Sequence, residues 1–201
     1  MSKAKHIIGI TGVMGSGKSE AAMALAKITG YSICNADTLA HQTYRPGSQA
    51  YQRIVDLFGP AIVDSRGEIH RAALGVIVFS DAEKLAQLCR IVHPPLLKMI
   101  RQEIAAAKKA GRGMILDAAL LYELALEGDC DYVWVVDAPA EVLYERVAKR
   151  SGISPAEAEK RIAAQASADA KKRRADRVIL NDRDIRHLSA QLEEAWASIQ
   201  E

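Results

Sequence analysis

Residues 12–19 read Gly-Val-Met-Gly-Ser-Gly-Lys-Ser, which fits the spacing G-x-x-x-x-G-K-[ST] and constrains this chain more than any other stretch. Lys5 to Thr11 ahead of it is a short β-branched run, and Glu20 to Ile28 behind it is rich in helix formers. Strand, glycine-rich loop and helix in that order form the context in which the pattern binds phosphate. Glycines let the main chain curl until successive N–H groups point inward, and the helix N-terminus adds partial positive charge. A nucleoside triphosphate would rest on Gly12, Met14, Gly15, Ser16, Gly17, Lys18, Ser19 and Glu20. The Lys18 ammonium would reach its β- and γ-phosphates, and the Ser19 hydroxyl would hold Mg²⁺.

Gly30 stops the first helix after about Thr29, and Tyr31 to Cys34 reads as a second strand leading into Asn35-Ala36-Asp37. A strand-helix-strand run favours a right-handed crossover into a parallel sheet, whose ligands collect at the carboxyl ends of the strands. Asp37 is therefore expected on the edge that carries the phosphate loop, where it would accept or orient the proton of an attacking hydroxyl. It is equally suited to capping a helix that starts at Thr38 or Leu39, and position alone does not separate the two roles. From Thr38 to Gly111 helical periodicity dominates. Ser48 to Gly59 puts Tyr51, Ile54, Val55 and Phe58 on one face; an extended Ala61 to Val63 leads to a turn at Asp64 to Gly67 and a helix over Ile69 to Phe79. A longer helix runs from Ser80-Asp81 through Val92, and His93-Pro94-Pro95 is expected to break or kink it before Leu96 to Lys109. An insertion of this size is the natural seat of a second substrate, and His93 reads as an oriented structural residue rather than an acid or base.

Met114 to Asp117 is a third strand, and it ends in a carboxylate as a Mg²⁺-associated strand would; Asp117 suits an indirect metal role or a strand-end cap. Ala118 to Leu126 looks helical, Asp131 to Asp137 is apolar enough for a central fourth strand, and Pro139 opens a helix. Ala140 to Ala175 is locally basic and holds Arg146, with Ser154-Pro155-Ala156-Glu157 as a helix start just after Gly152. A polar helical pair bearing arginines suits a lid over ATP that neutralises the transferring phosphoryl group, although charge alone favours a solvated helical hairpin over a lid. Asp176 to Leu180 is the fifth strand, Asn181 begins a loop, and Arg186 to Ile199 is an amphipathic closing helix.

With 201 residues, 49% hydrophobic and 26% charged, the chain can fill one α/β core. A net charge of +2 asks for neither nucleic acid nor an acidic membrane surface as a partner. Cys34, Cys89 and Cys130 lie too far apart for a disulfide framework or a metal-ligand pair. Without a signal-peptide core or an apolar stretch of membrane-spanning length, the expected location is the cytoplasm, with Met1 to Lys5 a solvated lead-in.

Taken together, these residues resemble the dephospho-coenzyme A kinases, a P-loop kinase family, along nearly the whole chain. The resemblance is carried by Ile10 to Ser19, Ala36-Asp37, Pro46-Gly47, Phe58-Gly59, Ile69 to Leu74 with Arg71, Phe79 and Ile91 to Pro94. Further on it is carried by Leu120 to Glu123, Arg146 with Arg150, Arg161 with Gln165, Lys171 to Asp176 and Asn181. It implies transfer of the ATP γ-phosphate to the ribose 3′-hydroxyl of dephospho-coenzyme A, the last step of coenzyme A synthesis. It also implies one P-loop kinase domain: a five-stranded parallel α/β core (about 1–37, 111–139 and 176–201), a helical acceptor-binding region (about 38–110) and a two-helix lid (about 140–175). Asp37 then takes the acceptor-hydroxyl role, and Arg146 is the lid arginine. The chain departs from the family pattern at Asn35, Glu20, Ala119 and Asp182, so Glu20 would face phosphate with its N–H while its carboxylate turns away. Other small-molecule kinases share the core and lid. A GTP-dependent switch is a rival of another class, because Asp64 to Gly67 fits D-x-x-G and Asn181 to Asp184 grazes N-K-x-D, but Asp182 stands where that motif has Lys.

Overall fold

The computed structural model describes residues 5–163 and 168–200; Gln165 and the lead-in before Lys5 lie outside the described residues. Five strands form one parallel sheet: β1 (Ile7–Thr11), β2 (Ser32–Asn35), β3 (Met114–Asp117), β4 (Tyr132–Asp137) and β5 (Arg177–Leu180), in the order β2-β3-β1-β4-β5. Every residue of β1 and β3 is buried, which explains why these strands read as unbroken apolar runs rather than alternating ones. The expected five-stranded parallel α/β core is the one observed.

Two compact units divide the chain. One comprises the residues up to Asn35 together with those from Ile104 onward; the other is Ala36–Glu103. In the first, α1 (Lys18–Thr29) and α9 (Ile185–Ser198) pack Leu25, Leu188 and Leu192 against Ile8, Ile115, Trp134 and Ile179 of the sheet. Aspartates just ahead of two strands tie down their neighbours: Asp131 Oδ2 accepts from the Ile7 N–H and Asp176 Oδ2 from the Val133 N–H, each at 2.7 Å. At the outer strand, the Gln191 side chain takes both main-chain groups of Leu180, accepting from its N–H (3.0 Å) and donating to its carbonyl (2.7 Å).

The second unit holds α2 (Ala36–Thr43), α3 (Gln49–Phe58), α4 (Arg71–Phe79) and most of α5 (Ala82–Lys109), around Ile54, Ile62, Leu74, Val78, Ile91 and Val92. Ser48 caps α3 by accepting from the Tyr51 N–H. The expected extended run Ala61 to Val63 is instead a 3-10 turn over Pro60–Ile62, because Pro60 starts the turn and Val63 alone pairs across to Ile69. That pairing also delays α4 until Arg71.

The expected break at His93-Pro94-Pro95 does not occur, and α5 runs unbroken through both prolines. Each proline removes one i→i−4 donor, leaving the Arg90 and Ile91 carbonyls without that partner. Burial of Ile91, Val92, Leu96 and Ile100 along the same helix offsets that loss. Asp81 starts α5, accepting from the Glu83 and Lys84 N–H groups.

Ala118 to Leu126, expected to be helical, is a succession of turns in which Ala125 adopts a left-handed φ of 51°. Its leucines at 121, 124 and 126 are all buried, and the Ala119 carbonyl is claimed from two sides, by Thr11 Oγ1 (3.2 Å) and Lys171 Nζ (3.1 Å). A regular helix would turn that carbonyl along its own axis, so the tertiary bonds override the helical spacing. A 3-10 turn at Glu127–Asp129 then leads to β4.

Beyond the sheet lie α6 (Ala140–Ser151), α7 (Pro155–Ala163) and α8 (Ala168–Lys172). Gly152 closes α6 in the left-handed region, and Ser154 Oγ accepts from the Glu157 N–H to start α7, as the sequence predicts. Lys172 binds Asp137 (2.8 Å) and Asp169 (2.9 Å), bonds that hold its ammonium pKa up and pull the Asp169 carboxyl down. Among the described residues no helix is long and apolar enough to cross a membrane.

Lys171 and Glu123 form an unequal pair. The ammonium is 4% exposed and the carboxylate 32%, at 2.7 Å. Removing the acid strands a buried cation, whereas removing the cation leaves a carboxylate that water reaches. Glu123→Ala should cost about 3 kcal/mol in urea unfolding and Lys171→Met only about 1 kcal/mol, and equal losses would refute the asymmetry.

Candidate active site

The phosphate loop starts where β1 ends and closes where α1 begins. The Ser16 N–H donates to the Val13 carbonyl (3.1 Å), and the Ala21 N–H donates to that of Gly17 (3.0 Å), the first turn of α1. Gly17 is the N-cap of α1 in a left-handed conformation (φ 84°, ψ 22°), and no side chain caps the helix. The first-turn N–H groups thus keep their partial positive charge for a ligand. The other end of the loop is shaped by α6: a Cβ on Gly15 would sit 2.9 Å from both the Leu143 carbonyl and Val147 Cγ2.

Strand register explains the next layer. Asp117 at the tip of β3 is aligned with Ile10 of β1 and with Asn35 of β2. Its carboxylate, 2% exposed, collects three partners: Lys18 Nζ lies 3.2 Å from Oδ1, Ser19 Oγ donates to Oδ2 (2.7 Å), and Asn35 Nδ2 donates to Oδ2 (2.8 Å). Charge neutralisation by Lys18 and two hydrogen bonds make a buried anion tolerable here. The structure therefore brings Lys18, Ser19 and Asp117 together. Asn35 gains a use that its place in the sequence did not reveal: it donates to the carboxylate beside it in the sheet.

Arg146 lies on α6 between Leu143 and Val147, the residues that meet Gly15. Its Nη1 atom is buried and, among the described residues, lacks a hydrogen-bond partner; the same holds for Ser16 Oγ in the loop. A buried hydroxyl without a partner inside a curl of amides fits a polyanionic ligand, and a buried guanidinium nitrogen without a partner is the kind of donor such a ligand satisfies. Met14 is half-buried, and the Glu20 side chain is exposed. Among the described residues no three His, Cys, Asp or Glu side chains cluster as a metal cage. A hydroxyl and a carboxylate at Ser19 and Asp117 are nonetheless the oxygen donors Mg²⁺ accepts when phosphates and water complete its shell.

Asp37 belongs to the second unit. Because α2 already begins at Ala36, Asp37 sits in its first turn and is exposed; it does not cap a helix starting at Thr38 or Leu39. One turn on along α2 lies His41, whose ring nitrogens are 3.1 and 3.3 Å from Arg71 Nη1 and whose ring stands edge-on to Tyr44. Burial first and the Arg71 charge second push the His41 imidazole pKa down, against an upward pull from Asp37. Sequence reading passed over His41; its spacing of four from Asp37 on one helix was the available signal. His93 lies inside α5, where burial lowers its pKa.

The two guanine-type fragments have other uses. Asp64 Oδ1 accepts from the Arg66 and Glu68 N–H groups to make a hairpin turn, and Asp184 caps α9 by accepting from the His187 N–H (2.9 Å). Asn181, buried after β5, donates from Nδ2 to the Ser16 carbonyl (2.9 Å).

Comparison with known proteins matches residues 6–187 to the model of the dephospho-CoA kinase family. The dephospho-CoA kinase of Symbiobacterium thermophilum is 42% identical over 95% of this chain and 80% of its own length. That of Bacillus licheniformis is 41% identical over 96% of this chain and 98% of its own. Among solved structures, a Thermus thermophilus protein superposes with a TM-score of 0.80 at 33% identity, covering 99% of this chain and all of that one. A dephospho-CoA kinase from Campylobacter jejuni (TM-score 0.72, 22% identity, 96% of each chain) shares the fold. A match spanning the phosphate loop, β3 and the segment after β5 leaves one assignment: the chain belongs to the dephospho-CoA kinase family.

Proposed function

We propose that this protein phosphorylates the ribose 3′-hydroxyl of dephospho-CoA with ATP, giving CoA and ADP as the final step of CoA synthesis. The observation that carries this reading is the meeting of Lys18 and Ser19 on the buried Asp117 at the mouth of α1, in a chain with that family match.

The chemistry is in-line displacement: the bond from the 3′-oxygen to the γ-phosphorus forms as the bond to the β,γ-bridging oxygen breaks. Amides of residues 12–20 cradle the β- and γ-phosphates. The Lys18 side chain has the reach to swing its ammonium from Asp117 onto those oxygens. Ser19 and Asp117 supply oxygen donors for Mg²⁺, which when bound spreads positive charge across the phosphate oxygens. Arg146 donates from its buried Nη1 to the transferring group, a fixed positive charge where negative charge develops. Asp37 receives or orients the hydroxyl proton. The helices of the second unit bind the acceptor, and α6 and α7 serve as the lid. A reducing, cytoplasmic setting fits the three free thiols; burial pushes that of Cys130 up to about 12, which leaves it unreactive.

ADP release measured over dephospho-CoA, nucleosides, nucleoside monophosphates and shikimate should be fast with dephospho-CoA alone; an equal rate with another acceptor would refute the assignment. Lys18→Ala should lower kcat by about 10²–10³-fold with an unchanged circular-dichroism spectrum. For Asp37→Asn the expected loss is about 10²–10⁴-fold in kcat with little change in the acceptor KM, and an unaltered kcat would remove this carboxylate from the mechanism.

A further inference from the structure

Asn181 is 2% exposed and sits far along the chain from the phosphate loop, yet it is fastened to it. Its own N–H donates to the Asp137 carbonyl (2.7 Å), which anchors it to the end of β4. From that anchor Nδ2 donates to the Ser16 carbonyl at 2.9 Å, across 165 residues of sequence. The acceptor is a carbonyl, so the facing group must be the amide NH₂. The side chain also closes on the loop itself, because a Cβ built on Gly17 would collide with this same nitrogen.

In a trans peptide the C=O and N–H lie in one plane and point in opposite directions. Holding the Ser16 carbonyl toward Asn181 therefore turns the Gly17 N–H the other way, away from the loop after β5. Gly17 at φ 84° has the left-handed backbone that makes neighbouring N–H groups converge on an anion. We propose that Asn181 is a positioning residue for the nucleotide's phosphate chain: it fixes the Ser16–Gly17 peptide so that the Gly17 N–H is aimed at phosphate before the ligand arrives. The assignment rests on the phosphate-loop function proposed above. It gives Asn181 a role through the loop and none in reading the base. Asparagine suits the place because it is short, neutral and a donor. Alanine would leave the buried carbonyl unpaired, and aspartate would set an acceptor against an acceptor and add negative charge behind the phosphates.

The test is calorimetric binding of Mg·ATP and of inorganic tripolyphosphate to the full chain, to Asn181→Ala and to the isosteric Asn181→Asp, with melting temperatures and acceptor KM alongside. Expected is a loss of about 5- to 20-fold for Asn181→Ala, the same for ATP and for tripolyphosphate, a larger one for Asn181→Asp, and an unchanged acceptor KM. Unaltered ATP affinity in both variants would overturn the proposal. A loss for ATP with tripolyphosphate unaffected would also overturn it and make Asn181 a contact to the nucleoside. If Asn181→Ala does not fold, Asn181→Asp, which keeps the volume, decides alone by the same comparison. An unmodified chain that binds no ATP would overturn the kinase reading along with this one.

Discussion

A carboxylate removed from water is expensive unless its neighbours neutralise it, and the tip of β3 is built around that constraint. Asp117 is accommodated at 2% exposure because Lys18, Ser19 and Asn35 all turn to it. Those three come from the loop–helix junction and from β2, so the phosphate loop and two strand tips meet at a single buried charge. Sheet order makes the meeting possible. With β3 between β1 and β2, its last residue lies alongside Ile10 and Asn35, and the loop leaving β1 passes within reach.

Around that point the loop is braced from several directions by groups distant in sequence. The Thr11 hydroxyl, just before the loop, shares the Ala119 carbonyl with the buried Lys171 ammonium. Leu143 and Val147 of α6 press on Gly15, and the Asn181 amide presses on Gly17. Preorganisation of this kind means that the amides need little rearrangement to meet an anion, which is the condition under which they are worth most. In the second unit, the His41 ring of α2 lies against Arg71 at the start of α4 and edge-on to Tyr44, just past the end of α2, with Asp37 one turn back.

The sheet, the phosphate loop, the stop at Gly30 and the start at Ser154 were legible in the sequence because each depends on local chemistry: β-branched runs, glycine conformations, a short capping side chain. Three features were hidden because tertiary packing decides them. The prolines at 94 and 95 are tolerated in α5 through burial along the helix, which no local pattern announces. Leu121, Leu124 and Leu126 have spacings that imitate a helix, yet the chain spends them on a run of turns with one left-handed alanine. The Asn35 and Asn181 amides act on groups 82 and 165 positions away, and only the fold reveals such pairings. Of the candidate residues, Lys18, Ser19 and Asp117 meet in one cluster, whereas Asp37 lies in the other unit and owes its assignment to family likeness.

The side chain of Gln191 also bears on how this molecule behaves in a crowd. A parallel sheet ends in strands with idle hydrogen-bonding groups, and such rims recruit stray strands from other chains. At β5 the glutamine occupies the donor and the acceptor of Leu180 together, imitating one rung of a further strand. A foreign segment could zip onto that side only after expelling an intramolecular partner that never diffuses away. Val178 and Leu180 can thus remain solvent-facing there without turning the margin into a seed for polymerisation.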